Sequence, residues 1–284
     1  MSDINGVFLA KTTPFILFFR LVLNNEKFYG AITCFLFILL TNNLFSDIIY
    51  DVLGDEMEQL ISIIALILAS LFCIITHEIA HGYVALLNGD STAKVNGRLS
   101  FNPAKHFDLI GFLMFILVRF GYAKPVPINP YYFKKRKLGL ITVSLAGVIV
   151  NLITSFIFFL FLVLVNKFCA PLIYQSNAGY YFFYFLKSLT SYVVLVGVNL
   201  ALFNLLPLHP LDGYNLLEGI FGADHRVIKF LRDFGKYLLL GLILLSVLVN
   251  SVNLPSYFSP LFWYIDTVGG FILDLFGKFW SLFF

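Results

Sequence analysis

Apolar residues gather into long runs near residues 28–45, 60–87, 138–165, 180–206 and 237–252. Each is long enough, or nearly so, to carry a helix across a hydrocarbon core of about 30 Å. A sixth run, 109–122, is too short for a full crossing. In the closing stretch, 258–284, Asp266, Gly270, Asp274 and Lys278 share one narrow helical stripe among aromatics. That pattern predicts a helix in the membrane interface in preference to one that spans with a polar seam. The expected fold class is an all-α polytopic membrane protein with five to six transmembrane helices. Residues 1–13 are polar or mixed, and 15–23 are interrupted by Arg20, so insertion by internal spans is expected in place of a cleaved signal.

Composition agrees with the pattern. Of 284 residues, 60% are hydrophobic and 12% charged, far from the roughly 45–50% and about 25% of soluble domains. The expected surroundings are the lipid bilayer. A net charge of +3 is too small to point to nucleic acid, and none is expected as a partner. Cys34, Cys73 and Cys169 lie singly in apolar sequence and imply no disulfide framework.

Charge then orients the spans. The loop at 46–59 holds Asp47, Asp51, Asp55, Glu56 and Glu58 with no Lys or Arg, whereas 88–137 holds Lys94, Arg98, Lys105, Arg119, Lys124 and the run Lys134-Lys135-Arg136-Lys137. The first loop belongs outside and the second in the cytoplasm. A full crossing at 109–122 would carry the basic run outside, so that segment reads as re-entrant or interfacial. Three parts follow: 1–58 with an extra transmembrane span, a membrane core at 59–253, and a C-terminal interfacial or spanning helix at 254–284.

Inside the run at 60–87 stand His77-Glu78-Ile79-Ala80-His81. Ionisable groups there cost several kcal/mol unless they are paired or ligated. One helical turn apart, His77 and His81 share a face, so both imidazoles can meet one Zn²⁺ while Glu78 reaches the metal-bound water. Cys73, a further turn back, is a possible extra ligand or a packed small hydrophobe. Catalytic zinc wants a third protein ligand. The segment from Asn204 through Pro207, Pro210 and Asp212-Gly213 offers one, since two prolines break the helix. Irregular backbone at membrane depth survives only where it is buried in protein or lines a watery cavity. By helical rise, His77 and Asn151 lie about 16 and 20 Å from the cytoplasmic ends of their runs, at similar depth.

These residues resemble the site-2 protease family of intramembrane metalloproteases. The H-E-x-x-H at 77–81 precedes N-x-x-P-x-x-P-x-D-G at 204–213, as in that family. Ala146-Gly147-Val148-Ile149-Val150-Asn151 keeps the Gly and Asn of its A-G-P-x-x-N motif, with Val where the family has Pro. Residues 97–106 and 123–130 look like its short branch without PDZ or CBS domains, and the likeness covers roughly 61–249.

The resemblance implies a zinc cofactor held by His77, His81 and Asp212, with Glu78 as the general base. It also implies an integral multi-pass protein of a bacterial plasma membrane that takes part in regulated intramembrane proteolysis of transmembrane protein or peptide substrates. Asn151 and Asn204 are candidate donors to the developing oxyanion, or interhelical hydrogen bonds. His209 either orients Asp212 or approaches cytoplasmic water, and His106 and His225 read as structural or solvated. Residues 92–101 read as a small β-hairpin turning at Asn96-Gly97, an edge on which substrate can add a strand. The alternatives are an inactive relative that binds transmembrane helices and a metal-ion transporter.

Overall fold

The histidine-bearing segment is one long helix, α1 (Glu56–Leu87), in a computed structural model that describes residues 56–106, 125–174, 176–252 and 254–284. The expected span at 28–45 and the re-entrant segment at 109–122 lie outside the described residues. Along α1, Ala65, Ala69 and Cys73 form a ridge of small side chains four residues apart, all fully buried. Small residues on such a ridge let helix backbones approach closely in lipid. The ridge packs on Tyr192, Val193, Val196 and Leu200 of α4 (Asn177–Asn204). The same four-residue register continues into His77 and His81, so the packing ridge leads directly into the histidine pair.

Between them in sequence come a short helix α2 (Thr92–Val95) and the long α3 (Arg136–Leu164). The α3 helix buries Val143, Gly147, Asn151 and Ser155 toward the bundle and exposes Ile149, Ile153, Ile157 and Phe161. It runs unbroken through Val148, because valine keeps the backbone N–H that a proline would have removed. Beyond α4 the chain breaks at Pro207 and Pro210 and restarts as α5 (Asp212–Phe221), then α6 (Arg226–Ser251) and α7 (Pro260–Trp280).

Four described helical stretches are long and apolar enough to cross a membrane: Met57–Leu87, Arg136–Tyr174, Asn177–Asn204 and Arg226–Ser251. The α7 helix is not among them. It packs Leu261 and Ile265 against Val198, Leu202, Leu239 and Ile243, and its Trp280 Nε1 donates to Phe156 O at 3.1 Å.

The expected hairpin at 92–101 is absent, and no strand occurs among the described residues. Thr92–Val95 form a helical turn instead, closed by Gly97 at φ +63° with Gly97 N bonded to Lys94 O and Arg98 N to Ala93 O, both at 2.9 Å. That pair is a Schellman cap. A left-handed Gly after Asn serves a type I′ turn and a helix cap equally well, and Asp90 decides between them. Its buried carboxylate accepts Thr92 N at 2.9 Å and Asn129 N at 2.6 Å, which winds residues 90–92 into a turn and ties it to the segment at 125–130. The strand edge read from Asn96-Gly97 is lost with the hairpin.

Candidate metal centre

Three side chains from two helices converge. His77 Nε2 and His81 Nε2 lie 2.9 Å apart, and Asp212 Oδ2 lies 3.2 and 3.1 Å from them. These three are the only cluster of metal-ligating groups among the described residues. Asp212 reaches them because the chain restarts as a helix at that residue. The following Gly213 is required there: a Cβ would stand 2.3 and 2.4 Å from the carbonyl oxygens of Leu206 and Leu205.

The donor set fits zinc. Ligand bonds of about 2.0–2.1 Å in a tetrahedron separate donor atoms by about 3.3–3.4 Å, and the triangle here is only slightly smaller. Two nitrogens and a carboxylate oxygen facing one another at these distances, with Asp212 Oδ2 buried and receiving no hydrogen bond, call for a cation among them. His81 Nδ1 lies 2.7 Å from Val143 O. A carbonyl only accepts, so Nδ1 carries the proton and Nε2 keeps its lone pair toward the cluster.

Glu78 sits beside the pair, and its Oε2 accepts the backbone N–H of Val126 at 2.8 Å. The irregular segment around Val126 is held in turn from two sides. Arg98 Nη2 donates to Pro125 O at 3.1 Å and Nη1 to Lys105 O, while Asp90 holds Asn129. Arg98 is therefore more than a topology charge. A cavity of about 320 Å³ opens between this segment and the helices, lined by His77, Glu78, His81, Asp212, Asn204 and Val126 among others.

Ser144 and Asn215 also line it, and sequence reasoning missed both. The available signal for Asn215 is its place one turn after Asp212 on α5. For the Val126 N–H there is none, since a backbone donor leaves no mark on side-chain pattern.

The remaining candidates are distributed unevenly. Asn204 faces the cavity and gives an Nδ2 hydrogen to Leu200 O at 2.9 Å. Asn151 is fully buried, with its amide nitrogen 3.1 Å from His77 Nδ1. Cys73 is not a ligand: its thiol points at Val193 O, 3.6 Å away, within the α1–α4 packing. His209 lies edge-on to Tyr214 with ring centres 5.0 Å apart and is not on the cavity wall. His106 is fully buried and bonds Ser100 O at 2.6 Å, and His225 caps α6 by accepting Val227 N at 3.3 Å, so both are structural.

Gly147 presses on the site from α3. A Cβ there would stand 2.5 Å from His77 Cε1 and 2.6 Å from both ring nitrogens, so Gly147→Ala is expected to displace the ring and lower metal occupancy. Metal analysis of the purified variant at fixed free zinc checks this; occupancy equal to wild type would contradict it.

Comparison with known proteins adds relatives. The chain is 42% identical over 144 residues to "Putative zinc metalloprotease YwhC" of Bacillus subtilis, covering 51% of this chain and 63% of that one. The chain thus spans less than two thirds of that relative's length. It is 26% identical over 220 residues to "Putative zinc metalloprotease Rip2" of Mycolicibacterium smegmatis, covering 73% of this chain and 77% of that one. No family model matches, and no solved structure matches.

Proposed function

We propose that this chain, similar to two relatives named as putative zinc metalloproteases and resembling the site-2 protease family in its motifs, is an intramembrane zinc metalloprotease that hydrolyses peptide bonds of membrane-spanning substrates. The single observation that carries this reading is the convergence of His77, His81 and Asp212 beside Glu78 on the wall of one cavity. The first three hold the metal. Bound zinc supplies Lewis acidity, making water a better acid and the scissile carbonyl a better electrophile.

The chain's own groups do the rest. Glu78 takes a proton from water and returns it to the departing amine, so one carboxylate serves as base and then as acid. Asn204 offers an amide donor on the cavity wall where the carbonyl oxygen becomes negative. Val126 orients the base through its N–H. The apolar wall, with Val143, Leu140 and Phe133, limits water and strengthens these polar contacts.

The test is a comparison of membrane-protein fragments by mass spectrometry from cells that carry wild-type or Glu78→Gln protein. New transmembrane termini that depend on Glu78 are expected. Identical fragment sets, together with transport of radiolabelled zinc by vesicles containing the protein, would favour a metal carrier instead.

A second result isolates Val126. Val126→Pro deletes the N–H between residues that are already prolines. It is expected to lower kcat about tenfold, as loss of a hydrogen bond to a charged group does, with zinc content unchanged. An unaltered kcat would show that Glu78 needs no such support.

A further inference from the structure

We infer that Asn151 is a positioning residue for His77, and that Val143, Gly147 and Asn151, successive turns of one face of α3, form a strip that fixes both imidazoles. The inference rests on the reading of His77, His81 and Asp212 as the metal centre, and not on proteolysis. An imidazole that binds a metal through Nε2 must carry its proton on Nδ1, and the acceptor at Nδ1 sets both tautomer and ring orientation. For His81 that acceptor is Val143 O. For His77 the group at Nδ1 is the Asn151 amide, four residues past Gly147 and eight past Val143.

The amide has two faces and only one suits a metal. With Nδ2 toward the ring, the amide donates to Nδ1, the proton of a neutral His77 moves to Nε2, and it then points at His81 Nε2 only 2.9 Å away. With Oδ1 toward the ring, the amide accepts Nδ1–H and frees the Nε2 lone pair for the cluster. The structure places Nδ2 against the ring and leaves the buried Oδ1 without a hydrogen-bond partner among the described residues. Exchanging the two amide atoms leaves one buried polar atom unpaired either way, so the metal's need for the Nε2 lone pair selects the orientation.

Gly147 completes the strip by letting the His77 ring lie flat against the α3 backbone. Of the two asparagines, only Asn204 lines the cavity. Asn151 stands behind the ring, where a substrate carbonyl does not reach.

The experiment uses the full chain, stripped of metal in detergent and titrated with zinc against a chromophoric chelator. The d–d spectrum of the cobalt(II) form serves as a second readout. Asn151→Ala is expected to weaken zinc binding about 10–100-fold. Asn151→Asp, whose carboxylate accepts the same Nδ1–H, is expected to stay within a few-fold of wild type and keep the cobalt spectrum.

An oxyanion donor has the opposite signature, because alanine would leave zinc binding intact while aspartate would fail in cleavage as fully as alanine. Zinc binding by Asn151→Ala as tight as wild type overturns the inference, as does binding by Asn151→Asp as weak as alanine's. If the alanine variant does not fold, the near-isosteric aspartate variant decides by its own affinity and spectrum. A wild-type chain that takes up no zinc removes the metal-centre reading together with this one, whereas failure of the variants alone leaves that reading standing.

Discussion

Glu78→Gln protein is expected to bind zinc like wild type and to cleave substrate about 10²–10⁴-fold more slowly, the range that a positioned acid–base group contributes. The three ligand atoms belong to other residues, so the metal stays. Glutamine keeps an oxygen able to accept the Val126 N–H, so the local fold stays as well. What disappears is a group that can take a proton and give it back. Purified protein in detergent, with metal content and cleavage of a transmembrane peptide measured side by side, separates the two. Full cleavage by the variant would remove Glu78 from the chemistry, and loss of zinc would recast it as a ligand or structural anchor.

Asp212→Ala is expected to fail one step earlier, at metal uptake. Its Oδ2 is the one anionic member of the cluster, 3.1–3.2 Å from both nitrogens, and a two-histidine site lacks the third protein ligand that catalytic zinc uses. The loss should exceed the roughly 10–100-fold that follows removal of an outer partner. Stability reports the same event. A ligand that binds only the folded state stabilises it by about 2.7 kcal/mol at a hundredfold excess over Kd, so zinc should raise the melting temperature of metal-stripped wild type and leave Asp212→Ala unmoved. A zinc-dependent rise in the variant equal to that of wild type would show that the carboxylate is not a ligand.

The parts of this site that were legible in the sequence share one property: they are local. His77, Glu78 and His81 lie within five residues of a helix, so spacing alone sets their common face. The helix break before Asp212 is local too, because Pro207 and Pro210 announce it. Asn96-Gly97 shows the limit of such reasoning. A left-handed residue is written there plainly, but whether it closes a hairpin or caps α2 was decided by the Asp90 carboxylate, bonded to Thr92 and, from far along the chain, to Asn129. Arg98 was counted only for its charge, and its guanidinium turns out to brace the segment that orients Glu78.

Hydrophobic period and ionisable spacing by themselves determined that this chain builds membrane-length helices and that one of them carries two histidines on a common face with a carboxylate beside them. Those features depend on helix geometry, which every stretch of chain obeys without reference to the rest. Only the tertiary structure decided that Asp212 closes the cluster to within 3.2 Å, that Asn151 stands behind His77 while Asn204 faces the cavity, and that a backbone N–H from Val126 holds Glu78. These are contacts between residues dozens to more than a hundred positions apart. Helix packing fixes them, and the small-residue ridge Ala65-Ala69-Cys73 sets how closely α1 and α4 approach.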